Sequence, residues 1–245
     1  MKLLVAFLAL LLPLQAFEIP SNSKQAIVGI AKDWNSSHVT LQIYEKSGNT
    51  WKPVTQSWQG RLGKKGLAWG RGIHPTITKP YFKRESDWRA PAGVFWVGKP
   101  YGAYGTHASI KKHRSLDYTQ VTTRDLWVED SSSPYYNRHL RIDHEPSSKW
   151  EKKAQMRQND YPHSLKLYIS HNTATSKQKA VPNGGSAIFF HIWRRDGKAP
   201  TAGCTTMHET QLRNLIARLD PNKNPVYILL PQAEYTKYKS VWKLP

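Results

Sequence analysis

The sequence is poor in cysteine and in acidic residues. Its single cysteine, Cys204, excludes a disulfide framework within the chain and any zinc site that needs two thiolates. The 17 Asp and Glu residues are outnumbered by 36 Lys and Arg, which gives a formal net charge of +19. No apolar run reaches the roughly 20 residues that a helix needs to cross a bilayer, so no transmembrane segment is expected.

The remaining composition is that of a folded domain. Ten Trp and twelve Tyr provide large apolar side chains that disordered chains lack. With 15 Gly and 16 Pro, the chain has near-average amounts of both, which argues against a collagen-like or low-complexity protein. A length of 245 residues is enough to bury a substantial core, and no linker or repeat divides it.

The first sixteen residues have the layout of a secretory signal peptide. A basic start at Met1-Lys2 precedes the apolar run from Leu3 to Leu12, and Pro13 and the small residue Ala16 follow. We therefore predict a signal peptide over 1–16, a single domain over 17–245, and export to the periplasm or cell envelope.

The positive charge indicates an attraction to polyanions. No helix-turn-helix, zinc-finger or RNP-type pattern accompanies it, and export makes nucleic acid an unnatural partner. Anionic envelope polymers are better candidates, while a solvated cationic surface that only aids solubility explains the charge equally well. The sequence does not indicate an oligomeric state.

Periodicity predicts a mainly β fold. Two alternating segments around the turn at Gly48 indicate a hairpin. Helical spacing of Leu212, Leu215, Ile216 and Leu219 predicts one prominent helix, which ends at Asp220-Pro221, and a shorter helix is expected over 148–156. The expected strands cover 26–31, 38–44, 51–54, 94–97, 165–170, 187–193 and 225–231.

The chemistry is expected at Cys204, which lies just before the prominent helix. Thr206 to Glu209 has capping-box form, and this predicts Thr206 as the N-cap. A cysteine two residues before a helix N-terminus is favoured as a thiolate, the nucleophilic form. The consecutive N–H groups of Ala202, Gly203 and Cys204 provide a candidate oxyanion hole.

His191 is the candidate general base. It follows an apolar strand, and the turn-rich segment over the next 13 residues can fold back to bring imidazole and thiol together. Each residue also has an ordinary alternative, because most lone cysteines are inert core residues and most lone histidines are structural.

These residues resemble a known motif. Phe190-His191 followed by Thr201-Ala202-Gly203-Cys204 is similar to the active-site motif of L,D-transpeptidases with the YkuD-like catalytic domain. The resemblance runs from about Ala26 to Pro231. It is also carried by Lys83-Arg84-Glu85, Ala90 to Phe95, Asp130 to Arg138 and Ser170-His171-Asn172.

The resemblance implies a YkuD-like β-sandwich, with one prominent helix after the active-site cysteine, and a mechanism without a cofactor. Cys204 is expected to attack the carbonyl between the L- and D-centres of a peptidoglycan stem tetrapeptide and release D-Ala. His191 is expected to accept the thiol proton, with the backbone carbonyl of Ile192 orienting its ring. An amine acceptor gives a cross-link, whereas water gives L,D-carboxypeptidase activity.

Three departures from the family pattern put substrate preference in doubt. Ala202 stands where most members have a second His, Thr206 stands where many have Arg or Asn, and the His-to-Cys interval is short. Arg194 or Arg195 is a candidate for binding a substrate carboxylate, although solvated loop charges explain both equally well. The other expected substrate-binding residues are Thr201, Thr205, His171, Asn172 and Tyr135.

Two further readings stay open. A basic domain of this fold that has lost catalysis with Ala202 is expected only to adhere to the cell wall. A general cysteine protease fits less well, because the residues around Cys204 match no protease signature. No metal site is expected at Asp143-His144-Glu145, since neighbouring side chains in an extended chain point to opposite sides.

Overall fold

The computed structural model describes residues 17–105, 117–176 and 178–245. The predicted signal peptide over 1–16 lies outside the described residues. The strands in chain order are β1 Gln25–Ala31, β2 His38–Ser47, β3 Thr50–Pro53, β4 Trp58–Arg61, β5 Leu67–Trp69, β6 Ala90–Gly102, β7 Thr119–Gln120, β8 Asp125–Trp127, β9 His139–Arg141, β10 Leu165–Ile169, β11 Phe189–Ile192, β12 Thr205–Met207 and β13 Val226–Pro231. The α-helices are α1 Lys149–Ala154, α2 Glu209–Arg218 and α3 Gln232–Lys239.

Eleven of the strands form one sheet, and eight of these make a closed ring. The order β1-β13-β6-β10-β11-β12-β4-β2 returns to its start because β2 also pairs with β1. Most neighbours are antiparallel, but β1 pairs with β13 and β11 pairs with β12 in parallel. The short strands β8 and β9 form a separate two-stranded sheet. The mainly β fold predicted from the sequence is therefore confirmed.

The main core lies against this sheet and is built from alternating apolar residues. In β2, Val39, Leu41 and Ile43 are buried while their neighbours are more exposed, as expected for a strand with one face on the core. Helix α2 adds Leu212, Leu215 and Ile216, and Leu219 at its C-cap is also buried. The helical spacing of these four residues thus predicted the buried face of α2 correctly.

Most expected elements are present, with changed ends. The predicted hairpin is β2–β3, and α1 begins behind a capping box formed by Ser148 and Glu151. The strand expected over 94–97 is the centre of the 13-residue β6. Helix α3 was missed, since it has few apolar residues and follows directly on Pro231. It is held by tertiary contacts, including Tyr238 edge-to-face with Trp69, with ring centroids 6.0 Å apart.

Helices in the described ranges are too short or too polar to cross a membrane.

Candidate active site

Cys204 ends a turn that hydrogen bonds hold firmly. The Thr201 hydroxyl accepts from the Gly203 N–H at 3.0 Å and donates to the Cys204 carbonyl at 2.7 Å. The Thr201 backbone is in turn bonded to Leu62 and Lys64. Thr201 therefore shapes the turn from within, because its hydroxyl is already used by the backbone on either side of the cysteine.

The expected helix N-terminus is not beside Cys204. Helix α2 begins at Glu209, and His208 is its N-cap, with Nδ1 accepting from the Thr210 N–H at 3.2 Å. Thr206 belongs to β12, where it pairs with His191 on one side and Arg61 on the other. The capping-box prediction is wrong because sheet pairing on both sides overrides a local preference, and it leaves a strand between Cys204 and the helix.

The thiol is consequently not activated by a helix dipole. Cys204 is half-buried, and its sulfur donates to the Ala187 carbonyl at 3.5 Å. Burial raises the pKa of this thiol, while the Phe189 N–H and the Lys166 ammonium act to lower it. The net shift is upward, so the resting state at neutral pH holds a thiol.

His191 is oriented by the backbone, in the manner that the resemblance implied. Its Nδ1 lies 2.8 Å from the Ile192 carbonyl, which accepts the ring proton and leaves Nε2 as an unprotonated acceptor. Burial lowers the pKa of His191 to about 3, and the nearby His163 contributes to that decrease. The imidazole is therefore neutral at neutral pH.

Strand register brings His191 and Cys204 to the same face of the sheet. His191 is the register partner of Thr206 in the parallel pair β11–β12. Cys204 precedes Thr206 by two residues, and side chains two apart along an extended chain share a face. Both residues line a cavity of about 290 Å³, the cysteine cavity, together with Trp88, His163, Arg194, Ala199, Pro200, Thr201, Ala202 and Thr206.

The oxyanion hole expected from three consecutive N–H groups is reduced to two. Gly203 donates its N–H to Thr201, so it is not available to a ligand. Neither the Ala202 nor the Cys204 N–H has an acceptor among residues 17–105, 117–176 and 178–245. Within those same ranges, the buried hydroxyl of Thr206 also has no partner, and it lines the cavity beside the thiol.

Thr205 does not belong to the cysteine cavity. Its side chain lies on the opposite face of β12 from Thr206, is buried, and is 3.0 Å from the Tyr227 hydroxyl. The expected substrate contact is corrected to a core hydrogen bond, because successive strand residues alternate between faces.

His171 and Asn172 support the neighbouring segment instead of lining the cavity. His171 is fully buried, accepts from the Arg71 N–H through Nδ1 and donates to the Gly184 carbonyl through Nε2. The Asn172 amide bonds Val181 and Gly185. Since all these polar atoms have partners, the two residues hold the chain that leads to Ala187, opposite Cys204, and the predicted substrate contacts are corrected.

Tyr135 also lies away from the cavity. It is 51% exposed and does not line the cysteine cavity. The nearby Asn137 holds this region together. Its side-chain nitrogen donates to the carbonyls of His171 and Asn172. Its side-chain oxygen accepts from the indole N–H of Trp127 and the backbone N–H of Ala187.

The two arginines differ in position. Arg194 lines the cysteine cavity, forms an ion pair with Asp160 and reaches His163 Nδ1 at 3.3 Å. Arg195 lines an adjacent cavity of about 540 Å³ that also includes Tyr161, Trp193 and Arg194. Only Arg194 is therefore placed beside Cys204, and its charge is already partly neutralised.

Sequence reasoning missed His163 and Lys166. The His163 ring stacks on His191 with centroids 4.4 Å apart, and Asp160 holds its Nδ1 at 2.8 Å. Lys166 lies in β10, directly opposite His191 in the antiparallel pair with β11, and is 3% exposed. A lysine within an apolar strand was the available signal, whereas nothing local points to His163.

The Asp143-His144-Glu145 segment forms local ion pairs. His144 bonds the carboxylates of Asp143 and Glu151, and Glu145 pairs with Arg124. Across the described part of the chain, no group of three or more His, Cys, Asp or Glu side chains is arranged to hold a metal ion.

Comparison with known proteins gives little beyond this geometry. No family model matches the chain, and no curated protein matches it. A solved structure of Bd1075 from Bdellovibrio bacteriovorus is similar, with 12% sequence identity and a TM-score of 0.38. The similarity covers 93% of this chain and 57% of that one, so this chain spans little more than half of that protein's length. A likeness this weak supports no argument about function.

Proposed function

We propose that the protein is a peptidoglycan L,D-transpeptidase of the YkuD-like type, exported to the periplasm or cell envelope, that acts through a cysteine acyl-enzyme. The observation that carries the proposal is the shared cavity of Cys204 and His191, with the imidazole fixed so that Nε2 is unprotonated. A thiol that shares a cavity with a neutral, oriented imidazole supports acyl transfer by a cysteine nucleophile. The closed, mainly β sheet with a helix after β12 is consistent with it.

The first half-reaction acylates Cys204. The thiol proton passes to His191 Nε2 as sulfur attacks the carbonyl between the L- and D-centres of a stem tetrapeptide. The tetrahedral oxyanion accepts hydrogen bonds from the N–H groups of Ala202 and Cys204. Collapse breaks the peptide bond, and D-Ala leaves with the proton that His191 carried.

The second half-reaction releases the enzyme. An acceptor amine gives a proton to His191 and attacks the thioester, which forms the new amide and returns the thiol. If water takes the place of the amine, the product is a shortened peptide.

The size of the site and the charge of the chain suit a polymeric substrate. A cavity of about 290 Å³ is small for a ligand site, so it accommodates the reacting end of a stem peptide while the rest lies along the surface. A net charge of +19 favours residence near an anionic envelope polymer.

The test is incubation with purified disaccharide tetrapeptides, followed by mass spectrometry of the products. The wild-type protein is expected to release D-Ala and to form a thioester adduct at Cys204 together with cross-linked dimers. Cys204→Ala is expected to abolish all three, with an unchanged near-UV circular dichroism spectrum. The matched control is Ser132→Ala, which replaces an exposed turn residue far along the chain from the site.

The outcomes separate the alternatives. Shortened peptides without dimers identify an L,D-carboxypeptidase. Salt-sensitive binding to cell walls without any product identifies a wall-binding module. Full D-Ala release by Cys204→Ala refutes the assignment of the nucleophile.

A further inference from the structure

Lys166 is a buried lysine whose charge has no carboxylate partner. It is 3% exposed, and its ammonium donates to the Met156 carbonyl at 2.6 Å and lies 5.7 Å from the centre of the Phe189 ring. Within the part of the chain that the structure describes, Lys166 takes part in no salt bridge. Burying a charge without a counter-ion is destabilising, so such a residue indicates a functional role.

The sheet places Lys166 in one row with the proposed catalytic pair. Lys166 and His191 face each other across β10 and β11, and His191 and Thr206 are partners across β11 and β12. Directly opposite residues in paired strands project to the same face. Cys204 shares that face through its two-residue spacing from Thr206. Lys166, His191 and Cys204 therefore lie on a single face of three adjacent strands.

Lys83 is a second buried lysine near the site, and its charge is neutralised by a carboxylate. A side-chain carbon added to Gly203 would lie 3.7 Å from the Lys83 ammonium. Lys83, however, is bonded to the Asp87 carboxylate at 2.5 Å and to the Arg84 carbonyl at 2.8 Å. Its charge is already compensated in the resting protein, whereas the charge of Lys166 is not.

The charged groups around this row act on one another. Burial lowers the pKa of Lys166 to about 8, and Cys204 is the nearby group that most strongly opposes that decrease. Reciprocally, Lys166 is the charged side chain that most lowers the pKa of Cys204. His163, Lys166 and Arg194 all disfavour a proton on His191. The remaining contributors are Asp160 and Glu129 on Lys166, and Glu129 and Lys83 on Cys204.

We propose that Lys166 is the counter-ion of the Cys204 thiolate. When the thiol loses its proton to His191 or to solvent, the new negative charge on sulfur is stabilised by the ammonium, and no electron is transferred. Lys166 acts through Cys204 and is therefore a positioning residue. The inference rests on the proposed function only in taking Cys204 as the nucleophile.

The test measures the thiol directly, without peptidoglycan. Alkylation of Cys204 by iodoacetamide is followed by mass spectrometry from pH 6 to 10 in the wild-type protein, Lys166→Met and Lys166→Gln. Both variants are expected to alkylate roughly tenfold more slowly at pH 7, where Lys166 is still charged in the wild-type protein, since the thiolate loses its counter-ion. Lys99→Met, at an exposed position in β6, is the matched control with an unchanged profile.

The two variants distinguish charge from structure. Lys166→Gln keeps a donor for the Met156 carbonyl but carries no charge, so a merely structural lysine predicts a wild-type alkylation profile in this variant. That result overturns the proposal. Lys166→Gln is sufficient for this test, so the proposal can still be refuted if Lys166→Met does not fold. Chemical unfolding is expected to show that Lys166→Met is at least as stable as wild type, because an apolar side chain replaces an unpaired buried charge.

The same experiment is independent of the substrate. Slower alkylation of both variants, with no D-Ala release by the wild-type protein, leaves the lysine–thiolate pair intact and rejects the peptidoglycan substrate. D-Ala release by wild type, with unchanged alkylation of Lys166→Gln, keeps the proposed function and rejects the role of Lys166.

Discussion

Acid is expected to destabilise this protein well above the pH at which its carboxylates titrate. Three histidines, His74, His171 and His191, are buried within the fold. Burial lowers the pKa of His74 to about 4 and that of His191 to about 3, from an ordinary value of 6.5, and it lowers the pKa of His171 well below 6.5. The folded protein therefore keeps these rings neutral under conditions in which the unfolded chain protonates them.

The sign and size follow from proton linkage. Below pH 6.5 the unfolded chain binds more protons than the folded chain, so the free energy of unfolding decreases as the pH falls. Between pH 6.5 and 5, His74 and His191 each contribute a loss of about 2 kcal/mol, at 1.36 kcal/mol per pH unit, and His171 acts in the same direction. The total of about 4 kcal/mol from His74 and His191 alone is a large part of the whole stability of many domains.

Between pH 7 and 5 the histidines provide the main change in stability, while Glu129, whose pKa burial raises, acts in the opposite direction. The carboxylates whose pKa is lowered, such as Asp125, Glu151 and Asp160, contribute stability that is present above their unfolded pKa near 4 and is lost only as the pH falls further. Their contribution is therefore nearly constant over this range.

The assay is urea unfolding at pH 7, 6 and 5 and constant ionic strength, followed by tryptophan fluorescence. A matched variant, His74→Phe, replaces a ring that packs against Trp69, Phe95 and Trp242. It removes the Nδ1 acceptor of the Val94 N–H, so it is less stable at pH 7, but its loss between pH 7 and 5 is expected to be about 2 kcal/mol smaller. A free energy of unfolding that changes by less than about 2 kcal/mol in wild type over this range contradicts the reasoning.

Two substitutions test the support of the site. Asn137→Ala is expected to lower the free energy of unfolding by about 3 kcal/mol or more, because it leaves buried partners such as the Trp127 and Ala187 N–H groups unpaired. A loss below about 1 kcal/mol in chemical unfolding contradicts this role of Asn137. Gly93→Ala is expected to prevent folding, since its φ is +137° and the added carbon lies 1.9 Å from the His74 ring. Gly48→Ala is its control, with φ +58° but no atom within 4 Å, so its expected loss is only about 1–2 kcal/mol in the same measurement.

The sequence determined the fold class and the two central residues of the candidate site. Alternation in β2 and helical spacing in α2 are local consequences of burying one face, so both elements could be predicted. Cys204 and His191 stood out because their residue types and spacing suited a nucleophile and a base, and the structure brings them to one cavity.

Tertiary structure alone decided the electrostatics of that cavity. Thr206 pairs with strands on both sides, which overrides the local capping signal and separates Cys204 from the helix N-terminus. His163 and Lys166 reach the site through stacking and cross-strand register, and neither relation is encoded by neighbouring residues. A pKa depends on burial and on charges that are distant in sequence, so the protonation states of Cys204 and His191 followed only from the folded chain.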